Sequence, residues 1–199
     1  YIAVDKYDSP ISKKVKDNNN IEFKQMNVPP LKGIEENSID YVVTFQVIEH
    51  IQNDEQFVKE IHRVLKPGGK LILTTPNLLM SLSRNPWHTR EYTPQSMRDI
   101  LEISFADIEM NGVFGNEKIM QYYNANKKSV ERIRKWDIFN LEKNMPRRLL
   151  QVPYDILNRF NRHKLQDKNE SLVNDVKYTD YSISEMTDKC LDYFCISTK

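Results

Sequence analysis

The chain has 199 residues, and its 29 Lys and Arg against 28 Asp and Glu call for neither nucleic acid nor an anionic membrane as a partner. Hydrophobic residues make up 39% of the chain, and no apolar run approaches the roughly 20 residues that a membrane-spanning helix needs. The two cysteines, Cys190 and Cys195, are too few for a disulfide framework and lack the CxxC spacing of a metal site. We therefore expect one soluble domain over residues 1–199, in the reducing cytoplasm and without a membrane span.

The stretch Ile39–Asn77 predicts a β-α-β unit. Apolar, β-branched and aromatic residues over Ile39–Phe45 indicate a strand that is buried on both faces of a parallel sheet. From Asp54 onward, apolar residues recur at helical spacing until Pro67-Gly68-Gly69 ends the helix. Leu71–Leu73 then supply a second buried strand, so the unit is the building block of an open α/β sheet.

Two motifs within this unit carry a family resemblance. V-I-E-H-I follows the first strand, and R-V-L-K-P-G-G joins the helix to the second strand. Together they resemble the class I methyltransferases that depend on S-adenosylmethionine (SAM), specifically the type 11 group, which includes ubiquinone-biosynthesis enzymes. The resemblance implies a Rossmann-like α/β fold, mostly parallel with an antiparallel last strand, and SAM as cofactor with S-adenosylhomocysteine as product. Open α/β sheets bind ligands beyond the carboxyl ends of their strands, which points to Phe45–His50 and Thr75–Asn77.

The resemblance also implies a set of residues on the nucleoside side of the cofactor. An acidic residue at the end of the family's second strand takes the ribose hydroxyls, and Asp5 is the matching position. Asn27 stands where the family usually has Asp, and its amide oxygen can still accept a hydrogen bond from the adenine amine. The expected cofactor-binding residues are Asp5, Asn27, Val28, Phe45 and Gln46.

The family's glycine-rich turn after its first strand is absent, because none of the five glycines forms such a turn. The chain opens where the second strand should, so the sheet lacks its first strand, and we expect the natural protein to continue upstream by several tens of residues. If it does not, the strands at Tyr1 and Ile39 must pair directly to close the gap.

Glu49, His50 and His88 are the candidate catalytic residues. A methyl acceptor that is protonated at working pH needs a general base, and both histidines are expected at the mouth of the site. His50 could equally be a structural residue that caps the following helix. The loop H-T-R-E-Y-T that contains His88 resembles the family's loop over the substrate mouth, and is either a lid with chemistry or a plain polar connection.

Some relatives bind a divalent metal through E-V-I-E-H and a later histidine. In this chain Gln46 replaces the first carboxylate, which removes one charge that a hard cation would need. We therefore expect no metal.

The remaining elements follow the family pattern with one addition. We expect helices over Ile11–Lys16 and over Thr93–Phe105, the second capped by Thr93. We expect strands over residues 21–26 and Ala106–Val113. An antiparallel closing strand, from Tyr181–Ser184 and Leu191–Lys199, should lie at one side of the sheet. Residues 117–167 predict an inserted helical cap of two or three helices, divided by Pro146 and Pro153. Its basic residues could face an anionic substrate or simply be solvated.

These features indicate methyl transfer to an oxygen of a small molecule or of a glycan or lipid precursor. An RNA methyltransferase is an alternative, although nucleic acid is disfavoured by the charge balance. A SAM-binding-deficient scaffold is another, favoured by Asn27, Gln46 and the absent glycine turn. An exposed apolar patch on the helical cap would indicate a homodimer.

Overall fold

A computed structural model describes residues 1–7, 17–135, 144–168 and 175–199. The strands are β1 (Ile2–Asp5), β2 (Glu22–Gln25), β3 (Ile39–Phe45), β4 (Leu65–Pro76), β5 (Asp107–Gly115), β6 (Tyr181–Glu185) and β7 (Asp192–Thr198). The α-helices are α1 (Asp54–Val64), α2 (Pro94–Glu102), α3 (Glu117–Arg134) and α4 (Arg147–Lys168), and short 3-10 helices cover Ile48–His50, Leu78–Met80 and Tyr178–Asp180. The predicted helix over Ile11–Lys16 lies outside the described residues.

The strands form two sheets. β1 and β2 make a parallel pair, and the other five strands are ordered β3-β4-β7-β5-β6. β3 and β4 are parallel, whereas β7 is antiparallel to both of its neighbours and β6 is antiparallel to β5. With helices packed on the sheet, the architecture is the expected Rossmann-like α/β fold.

The core forms between α1, α2 and the large sheet. Val58 and Ile61 of α1 and Leu71 and Leu73 of β4 are fully buried together. α1 begins after Asn53, whose side-chain oxygen accepts a hydrogen bond from the Gln56 N–H at 3.2 Å. This core fixes the carboxyl ends of β3 and β4, where the site lies.

The prediction that β3 is buried on both faces is wrong. Tyr41, Val43 and Phe45 are each more than half exposed, whereas Thr44 on the other face is buried. The exposed residues line a cavity of about 650 Å³ that Tyr1, Val4 and other apolar residues border on its far side. Among the described residues, β1 pairs only with β2, so the direct pairing of the strands at Tyr1 and Ile39 does not occur.

β4 begins earlier than predicted. Leu65 already pairs with Ile39, and Pro67-Gly68-Gly69 belongs to an irregular first part of the strand rather than to a separate turn. A Cβ atom on Gly69 would lie 2.9 Å from the Lys66 carbonyl oxygen and 3.0 Å from that of Asp40, so this close backbone approach requires glycine.

The helix after Thr93 is confirmed with its predicted cap. Thr93 accepts a hydrogen bond from the Ser96 N–H, Ser96 bonds back to the Thr93 backbone, and Pro94 occupies the first helical position. The capping pair fixes where the loop that contains His88 rejoins the core.

The predicted closing strand is two strands, both antiparallel to their neighbours: β6 lies at one side of the sheet, as expected, whereas β7 does not. β7 lies between β4 and β5, and the register places Asp192 opposite Pro76 and Val113. Because β7 runs against β4, its first residue lies at the carboxyl end of β4.

α3 and α4 occupy the predicted insertion at residues 117–167. Pro146 precedes α4, but Pro153 lies inside it, so the prediction that Pro153 divides two helices is wrong. Pro153 is exposed, so water can solvate the Leu149 carbonyl group that lacks a helical partner. Across the described part of the chain, no helix is both long and apolar enough to cross a membrane.

Candidate active site

A sharp turn after β3 brings the V-I-E-H-I motif to the carboxyl edge of the sheet. Gln46 adopts a left-handed backbone conformation with φ of 55°, and its N–H donates to the Thr74 carbonyl oxygen at 2.9 Å. The chain then enters the 3-10 helix Ile48–His50, where Ile48 is fully buried. A non-glycine residue in this conformation is held by its surroundings and is typical of functional sites.

Glu49 is a buried carboxylate in this turn. Only 1% of its surface is exposed, and its Oε2 accepts a hydrogen bond from Thr75 Oγ1 at 3.1 Å. Its backbone oxygen accepts hydrogen bonds from the N–H groups of Thr89 and Arg90, at 2.6 and 3.2 Å. Glu49 therefore joins the end of β3, the end of β4 and the loop that contains His88.

His50 has one ring nitrogen engaged and one directed toward Glu49. Its Nδ1 lies 3.0 Å from the Trp87 carbonyl oxygen, an acceptor, so Nδ1 carries the hydrogen. Nε2 lies 3.9 Å from Glu49 Oε1, too far for a hydrogen bond but close enough for charge stabilisation. Because Asn53 caps α1, the alternative reading of His50 as the helix cap is wrong.

His88 lies beside His50, with ring centroids 4.9 Å apart and planes at 82°. Its Nδ1 is 2.7 Å from Glu91 Oε1 and its Nε2 is 2.8 Å from Asn85 Nδ2, so both nitrogens have partners. Although burial opposes it, hydrogen bonds from His88 and Ser81 lower the pKa of the Glu91 carboxyl group. The ionised Glu91 therefore orients the His88 ring.

The loop is fastened to the core on its other side by Tyr92 and Arg90. The Tyr92 hydroxyl donates to Asp54 Oδ2 at 2.7 Å, and the Arg90 guanidinium lies 2.9 Å from the same oxygen. Burial and the neighbouring Asp54 carboxylate raise the pKa of Tyr92, which keeps its hydroxyl protonated. The structure thus brings His88 to His50 on a well-anchored loop.

A metal ion could be held at this point. One ligand atom from each of Glu49, His50 and His88 lies within 4.8 Å of the other two. A cation on His88 Nε2 would have to displace the Asn85 amide that now bonds to it. The expectation that the protein uses no metal stays a prediction.

Asp192 is a residue of this site that the sequence analysis missed. Burial raises the pKa of its carboxyl group to about 6, and the Glu49 charge adds to the rise against a hydrogen bond from the Gln46 side chain. Its place at the site follows from the antiparallel register of β7, which no local sequence pattern reveals. The only available signal in the sequence was the expectation that the last strand is antiparallel. Such a strand begins at the edge of the sheet where the neighbouring strands end.

The five predicted cofactor-binding residues fall into two groups. Asp5 ends β1 next to Gln25 of β2, and its Oδ1 accepts a hydrogen bond from the Tyr7 N–H at 2.8 Å. Asn27 and Val28 follow the end of β2, and Val28 and Phe45 line the same 650 Å³ cavity. Gln46 instead faces β4 and Asp192, with its Nε2 3.5 Å from Thr74 Oγ1.

Comparison with known proteins bears on this edge of the sheet. The family described as the methyltransferase domain matches residues 1–73, which include β1 to β3, α1 and most of β4. Residues 1–73 are therefore similar to the type 11 methyltransferase domain, and the match covers less than half of the chain. The match contains Asp5, Asn27, Gln46, Glu49 and His50, whereas His88 and Asp192 lie beyond it.

Individual relatives agree over limited lengths. A probable S-adenosylmethionine-dependent methyltransferase of Mycolicibacterium smegmatis is 45% identical over 83 residues, which are 39% of this chain and 32% of that protein. The mitochondrial ubiquinone biosynthesis O-methyltransferase of Rattus norvegicus is 50% identical over 38 residues, 19% of this chain and 11% of that protein. The chain therefore matches about a third or less of the length of these relatives.

A solved structure extends the similarity of the fold to the whole chain. The phosphoethanolamine N-methyltransferase 2 of Haemonchus contortus, in complex with S-adenosyl-L-methionine, covers 100% of this chain with a TM-score of 0.55. The chain covers 43% of that structure at 20% sequence identity. At this identity the likeness establishes a shared methyltransferase-type fold.

Proposed function

We propose that this chain is the catalytic part of a SAM-dependent methyltransferase that acts on an oxygen atom of a small molecule or of a glycan or lipid precursor. The observation that carries the proposal is the orientation of His50. Its Nδ1–H is held by the Trp87 carbonyl group, which leaves the Nε2 lone pair to accept a proton at the carboxyl edge of the sheet.

The residues at the nucleoside side fit this cofactor. The exposed Asp5 carboxylate at the end of β1 can accept hydrogen bonds from two ribose hydroxyls, and the Asn27 side chain on the adjacent strand end can accept one from an amine. Val28 and Phe45 offer apolar surface for a planar ring. When bound, SAM supplies an activated methyl group on its sulfonium.

The chain's own residues then have two tasks. The first is to hold the acceptor oxygen in line with the methyl carbon, which can contribute up to about 7–11 kcal/mol to the rate. The second is proton transfer, in which His50 Nε2 takes the hydroxyl proton as the oxygen attacks. The Glu49 carboxylate, 3.9 Å from Nε2, stabilises the imidazolium that forms.

The proposal is tested by calorimetric titration of S-adenosylhomocysteine, followed by transfer of a radiolabelled methyl group to a panel of phenol, sugar and lipid hydroxyls. Because the chain matches about a third of the length of the mycobacterial relative, both this chain and the full natural protein are titrated. We expect the full protein to bind and to methylate a hydroxyl. Absence of binding by both forms would overturn the proposal and favour a scaffold role.

A further inference from the structure

α4 has an apolar side that the described protein does not cover. Leu149, Val152 and Ile156 are 65%, 66% and 54% exposed, and their spacing of three and four residues puts them in one stripe. Leu150, on another side of the helix, is buried. An exposed apolar stripe of this kind indicates a surface that contacts something else.

The charges on α4 indicate what that contact is. α4 has six Lys and Arg against two Asp, whereas the whole chain is nearly balanced at 29 against 28. Arg148 is four residues before Val152 and Arg159 is seven residues after it, so both exposed arginines lie along one border of the stripe. A helix with an apolar stripe and a basic border is suited to an anionic lipid surface, in which it lies parallel to the membrane plane.

α4 is also joined to the loop beside the candidate active site. The Trp87 indole N–H donates to Asp155 Oδ1 at 3.0 Å, Arg147 donates to the Thr89 carbonyl oxygen, and Arg84 donates to the Met145 carbonyl oxygen at 3.3 Å. Trp87 is the residue whose carbonyl group orients His50. Arg147 lies on the side of the helix opposite the stripe and Asp155 lies about a quarter of a turn from its centre, and with these contacts in place the stripe residues are still more than half exposed.

We propose that α4 is an interfacial helix that binds anionic lipid surfaces through its apolar stripe and flanking arginines, and so presents the neighbouring site to acceptors in the membrane. The acceptor class is then an amphiphile that carries a hydroxyl on its head group. The acceptor part rests on the proposed methyltransferase function, whereas the lipid binding does not.

The experiment is co-sedimentation of the protein with vesicles of equal parts phosphatidylglycerol and phosphatidylcholine, compared with vesicles of phosphatidylcholine alone. We expect binding to the anionic vesicles that weakens with salt. The triple variant L149S/V152S/I156S should weaken binding at least tenfold. The double variant R148Q/R159Q should lose about fivefold per arginine at low salt.

The matched control is the double variant Y178S/I183S. It removes two exposed apolar side chains near β6, 89% and 53% exposed, and should bind vesicles like the unmodified protein. Circular dichroism confirms that each variant is folded.

Three results would overturn the proposal: no binding to anionic vesicles, equal binding to both vesicle types, or binding that the triple variant retains. Sedimentation velocity identifies the competing case. A dimer that the triple variant converts to a monomer, without vesicle binding, would assign the stripe to a contact between copies of the chain. S-adenosylhomocysteine titration of each variant keeps failure of lipid binding distinct from failure of the proposed function.

Discussion

His50 owes its orientation to a backbone carbonyl group 37 residues away, at Trp87. No side chain at position 87 is needed for that bond, so the tautomer depends on where the loop is placed. The loop in turn is held at Glu49 and Asp54, which are buried residues of the core. At the residue scale, the orientation of His50 therefore depends on how the loop that contains Trp87 is anchored to the core, and not only on the residues next to His50 in sequence.

Replacing His50 with Gln tests its role. We expect H50Q to lower kcat by about 10²–10⁴-fold, because general-base catalysis contributes that much, and to leave S-adenosylhomocysteine affinity unchanged. Steady-state kinetics and calorimetry measure the two effects. The matched control is H62Q, because His62 lies on α1 against Phe105, away from the site. A kcat for H50Q within twofold of the unmodified protein would assign the proton transfer elsewhere.

Asp192 predicts a pH dependence of stability. Burial raises the pKa of its carboxyl group to about 6, above the ordinary value of 3.8, so the folded protein holds this proton more tightly than the unfolded chain does. The stabilising effect is complete below about pH 4 and is lost as the pH rises through about 6. We expect D192N to be more stable than the unmodified protein by roughly 1–3 kcal/mol at pH 7.5, with no gain at pH 3.5.

Urea unfolding of both proteins at the two pH values measures this difference. Asn retains an oxygen that can accept the hydrogen bond from Gln46, so the variant changes the charge and keeps the contact. Equal stability of D192N and the unmodified protein at pH 7.5 would contradict the claim that ionisation of the buried Asp192 carboxyl group destabilises the fold.

At the residue scale, the sequence predicts the position of a residue well where that residue lies in a local motif. Glu49 and His50 follow directly from V-I-E-H-I, and the structure brings His88 to them. Asp192 could not be predicted, because its place depends on the pairing of β7 with β4 across 116 residues of chain. The catalytic roles proposed for Glu49, His50 and His88 stay predictions, and so do the cofactor-binding roles of Asp5, Asn27, Val28, Phe45 and Gln46.

At the element scale, capping residues set the bounds of the helices. We expect T93A to lose about 1 kcal/mol of unfolding free energy, since alanine cannot accept the hydrogen bond from the Ser96 N–H. T93S keeps the hydroxyl group and is the control. Thermal and urea unfolding measure both variants, and equal destabilisation of T93A and T93S would contradict a role for the hydroxyl in the cap.

A helix or strand could be predicted where the local sequence signals agree. The predicted bounds of an element were wrong where tertiary contacts determine its end. Thr93, Pro94 and the apolar spacing of α2 agree, and the helix is as expected. Leu65 and Lys66 read as the end of a helix, but pairing of Leu65 with Ile39 draws them into β4. Pro153 reads as a break, yet a helix with a solvated side tolerates it.

At the scale of the whole molecule, the two sheets meet across an apolar cavity. A valine that faces this cavity should therefore contribute less to stability than a valine of the packed core. Val58 is fully buried in α1, whereas Val43 of β3 faces the cavity and is more than half exposed. We expect V58A to cost about 2–3 kcal/mol of unfolding free energy and V43A less than about 1 kcal/mol. Chemical denaturation compares them, and an equal cost would mean that β3 is packed on both faces.

Hydrophobic periodicity suffices to predict an open α/β sheet, because the β-α-β unit is continuous in sequence, whereas the Rossmann-like arrangement was implied by the family resemblance. The separation of the β1–β2 pair from the large sheet was harder to foresee. A direct pairing of β1 with β3 would have closed the gap, and the structure places β3 instead at an edge with an apolar side exposed. Local propensity says that a segment is a strand, but it does not say which strand lies beside it.

Cys190 and Cys195, the chain's only thiols, are both fully buried, and Cys195 lies on β7, in the middle of the large sheet. Burial raises the pKa of both thiols, that of Cys195 to about 12, so thiolate is scarce while the sheet is closed. A thiol-reactive dye would therefore reach Cys195 only when the central strand β7 opens, whereas Cys190 precedes that strand. The rate of labelling at Cys195 thus measures the opening of the large sheet, and no cysteine needs to be introduced for that experiment.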